Sequence, residues 1–136
     1  MISGLHGTIV TPFFGASLAT NYRIASEDMV FSLIHHNYGL HAGGALPFFL
    51  PKYMGLGKAT KYVINGGQIP AKEALDMGLI NEILPEKEFD NHCIELAKKL
   101  FNYERKYLRW SKELLTTYKD DLINYLHQEV EYSEHY

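Results

Sequence analysis

The sequence predicts an α/β fold that ends in a helical region, and three observations carry that prediction. Short β-branched and apolar runs alternate with short helical segments as far as Pro85. Glycine and proline punctuate those segments, with Pro70 opening one helix and Gly78 closing it. From Phe89 onward the apolar residues fall at helical spacing, beginning with Phe89, Cys93, Leu96 and Leu100 on one face.

The elements follow in order. Residues 1–10, β-branched at Ile2, Ile9 and Val10, read as one buried strand and a turn. Pro12 suits the first turn of a helix over residues 13–20, whose small residues allow tight packing. Strands are expected over 21–25 and 29–32, then a loop or helical turn over 33–37. A helix over 44–53 accepts Pro47 in its first turn and Pro51 near its end. The helix over 57–64 stops at Asn65-Gly66-Gly67, and the segment 79–84 reads as a strand bounded by Pro85. In the tail, Tyr107, Trp110, Leu114 and Tyr118 share a face. Asp120 or Asp121 is placed to cap a last helix whose apolar side is Leu122, Leu126 and Val130.

The chain of 136 residues holds one domain by the usual length prior, and 46% apolar residues suffice for a core. Thirteen basic against sixteen acidic residues give a formal charge of −3, which argues against nucleic acid as the main partner. The one cysteine, Cys93, excludes an internal disulfide. No apolar run approaches the roughly 20 residues that span a bilayer. No basic n-region marks a signal peptide, so a cytoplasmic protein without membrane contact is expected.

The stretch 38–57 concentrates glycine: Tyr38-Gly39 makes a turn, Gly43-Gly44 enters an apolar run, and Gly55 and Gly57 end it. A glycine turn followed by a helix start leaves N–H groups suited to a carbonyl or an anion. The same spacing equally describes an ordinary loop entering a buried helix.

The wider order of motifs separates these readings. Leu5-His6-Gly7, Ala19-Thr20-Asn21-Tyr22-Arg23-Ile24-Ala25, Phe31, Tyr38-Gly39-Leu40 and Leu50-Pro51-Lys52-Tyr53-Met54-Gly55 follow one another. After them comes Ile64-Asn65-Gly66-Gly67-Gln68-Ile69-Pro70-Ala71-Lys72-Glu73-Ala74-Leu75-Asp76-Met77-Gly78-Leu79-Ile80. This succession resembles the crotonase family, the enoyl-CoA hydratase/isomerase superfamily. The similarity runs through residues 1–85 and is loose in the tail. It implies a crotonase-like ββα-spiral, of which this chain would be the C-terminal half only. Residues 1–87 would then be the C-terminal part of the core, and 88–136 a trimerisation and CoA-contact region.

The resemblance also implies the chemistry. The family stabilises the enolate oxygen of an acyl thioester with two backbone N–H groups, needs no cofactor beyond the coenzyme A of its substrate, and uses no metal. Its Gly-Gly-Gly falls on Thr11, Pro12 and Phe13, which puts Pro12 at the donor position. Proline has no N–H, and one lost oxyanion donor costs about 10²–10³ in rate. The two glutamates of the hydratases fall on Gly15 and His35. Glycine transfers no proton, whereas histidine can, so His35 is the catalytic candidate and hydration itself is in doubt. Phe14, Gly15, Tyr38, His41, Gly43 and Gly44 would line the substrate pocket.

Residues 98–112 hold six of the thirteen basic residues (Lys98, Lys99, Arg105, Lys106, Arg109 and Lys112). Arg109 and Lys112 would meet the CoA phosphates, and a solvated face accounts for the same pattern. The expected partners are an acyl-CoA or acyl-carrier-protein thioester and further copies of the chain, as a trimer or a dimer of trimers. The resulting reading is enolate-type thioester processing by a full-length form, with this chain alone inactive. The competing reading is a non-catalytic thioester-binding or assembly protein. A third is a helical interaction module built from residues 88–136.

Overall fold

The computed structural model describes residues 1–136. β1 (Ile2–Leu5) breaks at His6-Gly7, where Gly7 takes φ 64°, and β2 (Thr8–Val10) follows in a second sheet. The single strand expected over residues 1–10 is therefore two. β2 passes without a loop into α1 (Thr11–Leu18), and β3 (Tyr22–Ser26) and β4 (Val30–Leu33) come next. A 3-10 helix (His35–Tyr38) then ends at Gly39 in the left-handed region. The rest of the α/β part comprises α2 (Leu46–Met54), α3 (Leu56–Asn65), β5 (Gly67–Pro70), α4 (Ala71–Asp76) and β6 (Glu82–Leu84).

Two three-stranded sheets result, in the orders β1-β3-β6 and β2-β4-β5. The first is wholly parallel; in the second, β2 and β4 are parallel and β5 is antiparallel to β4. The pairs β1-β2 and β3-β4 each give one strand to each sheet before a helix, the ββα order of a spiral, whereas α4 separates β5 from β6. α1 packs on β4 and α2, with Phe14 stacked on Phe31 at 3.8 Å between ring centroids. Leu18, Leu33, Leu46, Leu50 and Ile69 complete this core. Each such side chain contributes about 1.5–3 kcal/mol on burial.

β5 was not expected, because Ile69 is the only large apolar residue in a segment beginning with glycine and ending with proline. Pairing with β4, Phe31 opposite Ile69, makes it a strand. Pro70 accordingly ends β5 and precedes α4 instead of opening it. The Ala71 N–H donates to the Met29 carbonyl at 2.9 Å.

The tail forms α5 (Phe89–Leu100), α6 (Arg105–Leu115) and α7 (Lys119–Ser133). α5 turns Phe89, Cys93, Leu96 and Leu100 inward, the face read from the sequence. α6 turns Tyr107, Trp110 and Leu114 outward, with Leu114 77% exposed. On α7 the inward residues are Leu122, Tyr125 and Glu129, whereas Leu126 and Val130 are exposed. Asp120 and Asp121 lie in its first turn and do not cap it. On α7 the departure has a clear cause: helical periodicity ranks faces by hydrophobicity, but the Ala45 N–H of the glycine loop draws Glu129 inward.

Candidate functional site

The start of α1 is the structural centre of the site. Val10 precedes the helix in extended conformation and no side chain caps it. The N–H groups of Thr11 and Phe13, at its first and third positions, have no intrahelical acceptor. Pro12 between them offers none.

The Thr11 side chain is 1% exposed, and its Oγ1 lies 3.1 Å from Nδ1 of His35, itself 7% exposed. The Nε2 of His35 lies 2.7 Å from the Val63 carbonyl. A carbonyl only accepts, so Nε2 carries a hydrogen, and the Thr11 hydroxyl takes up Nδ1. His35 thus joins α1, the 3-10 helix and α3, and neither ring nitrogen is left for a substrate.

Gly15 and Gly44 form one wall. A β-carbon on Gly15 would overlap the Gly44 carbonyl and come within 2.7 Å of the Leu46 nitrogen. A β-carbon on Gly44, at φ 67°, would in turn overlap the Pro12 carbonyl. Gly15 is therefore closed by backbone to any side chain.

A cleft of about 420 Å³ opens beside this wall and gathers Thr11, Pro12, His35, Tyr38, His41 and Gly43. The other predicted residues lie apart from it. Phe13 is 69% exposed and Phe14 is buried in the core. Gly15 and Gly44 support the wall from behind. Arg109 and Lys112 line a separate cleft of about 630 Å³ between α6 and the starts of β1 and β3. Arg109 also pairs with Glu113 at 3.7 Å.

α7 and the residues after it bring groups to the cleft that sequence reasoning missed. His41 Nε2 lies 3.1 Å from Ser133 Oγ, and the His41 N–H donates to the Tyr136 hydroxyl at 2.5 Å. The Glu129 carboxylate accepts from the Ala45 N–H, with its oxygens at 3.0 and 3.3 Å. Burial first, then the neighbouring Glu129 carboxylate, pushes the Tyr125 phenol well above its ordinary value. No local motif announces contacts spanning 84 to 95 residues. No trio of His, Cys, Asp or Glu side chains converges on a metal position. No helix is long and apolar enough to cross a membrane.

The family model described as enoyl-CoA hydratase/isomerase matches residues 1–136. A probable enoyl-CoA hydratase of Bacillus subtilis (strain 168) is 36% identical over 81 residues, 60% of this chain and 31% of the relative. The crystal structure of an enoyl-CoA hydratase from Mycobacterium avium superposes with a TM-score of 0.78 at 25% identity, over 95% of this chain and 58% of the other. One from Mycobacterium avium subsp. paratuberculosis K-10 superposes with a TM-score of 0.87 at 21% identity, over 96% and 53%, a likeness of fold. The chain spans about half the length of these solved relatives. The match to all 136 residues corrects the reading of a resemblance limited to a C-terminal half and loose beyond residue 85. The tail carries no glycine or proline motif to quote, which is why the resemblance read from motifs stopped short of it.

Proposed function

The chain belongs to the enoyl-CoA hydratase/isomerase family, and from that premise we propose that it binds an acyl-CoA or acyl-carrier-protein thioester in the cleft at the start of α1 and does not hydrate it. The carrying observation is the closure of Gly15 by the Gly44 carbonyl. A water between two carboxylates has neither its first carboxylate nor the space for one. The thioester oxygen would take the Thr11 N–H, the first-turn donor of a residue lining the cleft. His41 is the group suited to proton transfer there. It lines the cleft and uses one ring nitrogen, on Ser133. The chemistry would be enolate-type, such as isomerisation.

Arg109 and Lys112 would serve the phosphate end of the carrier from their separate cleft. Residues 1–87 then hold the thioester and residues 88–136 the carrier and the assembly, in the cytoplasm. The outward aromatic face of α6 supports trimer-based self-association. A monodisperse monomer by light scattering at micromolar concentration would remove that part. A second reading, binding or assembly without turnover, is favoured by Pro12 and by the two occupied nitrogens of His35. Calorimetry with crotonyl-CoA, beside an assay for double-bond movement in 3-enoyl-CoA, tests both. Binding with turnover supports the first reading, binding alone the second, and no binding defeats both.

A further inference from the structure

We propose that Glu129 is a positioning residue that fixes the glycine loop over residues 39–45, and with it the His41 wall of the cleft. The proposal of a functional cleft rests on the thioester reading; the tie itself does not.

α2 begins without the usual means of holding a helix start. Ala45, its N-cap, has no hydroxyl, carboxyl or amide to offer, and no side chain of the helix caps it. The third helical position, where a glutamate or glutamine would reach back to the N-cap N–H, is Phe48. Ala45 also sits at φ 57°, a left-handed conformation that is costly for a residue with a β-carbon. Such conformations persist where the surroundings over-determine them. The group that does so here is Glu129, 84 residues later. Its carboxylate accepts from the Ala45 N–H and places a negative charge at the start of α2. Thus α7 supplies what the third residue of α2 cannot.

The loop is held at a second point as well. Ser133 and Tyr136 engage His41, four residues before Ala45. Between these ties lie Gly43 and Gly44, one lining the cleft and the other closing Gly15. α7 contributes no fully buried residue, so polar ties such as these are a large share of what seats its end. A shift at Ala45 therefore moves the wall that His41 presents.

The test uses the full chain and compares Glu129→Ala with Glu129→Gln by hydrogen exchange and by the ring-proton shifts of His41. Glu129→Ala should speed exchange of the Ala45 amide about tenfold or more and shift the His41 ring signals, with Ala25 in β3 unaffected. Glu129→Gln, whose amide oxygen accepts the same bond, should restore most of the protection. Unchanged exchange at Ala45, or an equal rise at Ala25, overturns the proposal, as does a response of Ala45 without any at His41. Crotonyl-CoA titrated into the wild type distinguishes the two claims. Absence of binding counts against the thioester reading alone, while exchange and ring shifts still decide the role of Glu129.

Discussion

Gly15 on α1 faces the Gly44 carbonyl so closely that a β-carbon at Gly15 would overlap it. The contact packs the start of α1 directly on the loop entering α2, backbone against backbone. Because the obstacle is backbone, no rotamer change relieves it. Gly15→Ala should lower stability by about 1–3 kcal/mol, the cost of overpacking, measured by urea unfolding. Gly15→Glu should be worse and should gain no hydratase activity. An alanine variant as stable as the wild type would show that the loop yields.

Thr11 and His35 make a second internal pair. Thr11→Val keeps the shape and leaves the His35 Nδ1 without its hydroxyl partner, in a site 7% exposed. The expected loss is about 1–3 kcal/mol. His35→Gln should cost stability too while leaving the pH profile of crotonyl-CoA binding unchanged, since both ring nitrogens serve the fold. A pH dependence that disappears in His35→Gln would return that residue to proton transfer.

Much of the α/β part was legible because glycine and proline mark its boundaries. Gly39, Gly66 and Gly78 take positive φ at the ends of helical segments, where only glycine is unstrained. Of the residues that motif order singled out, Thr11, Pro12, His35, Tyr38, His41 and Gly43 line one cleft, whereas Phe13, Phe14, Arg109 and Lys112 lie apart from it. What the residues do there was less legible. Whether His35 offers a nitrogen depends on Val63, which is 28 residues away and unremarkable in sequence. The roles of Glu129, Ser133 and Tyr136 arise from α7 folding back across the loop, a long-range event with no local pattern. The spacing of α6 identified a helix with Tyr107, Trp110 and Leu114 on one face, but amphipathicity alone does not say whether that apolar side finds a neighbour within the same chain.

Arg109 and Lys112 test the reach of the carrier. Arg109→Ala/Lys112→Ala should weaken CoA binding about tenfold at low salt, and the difference should shrink as salt screens the phosphates. Phosphopantetheine without the nucleotide should bind wild type and variant alike. Equal CoA affinity of the two proteins at every salt concentration would detach these residues from the ligand.

The central claim, a thioester cleft closed to hydration, is tested most directly by following the enoyl absorbance of crotonyl-CoA with the purified 136-residue chain, with binding measured on the same sample. The account predicts saturable binding with no loss of enoyl absorbance. Hydration within the usual enzyme range of about 1–10³ per second would contradict it.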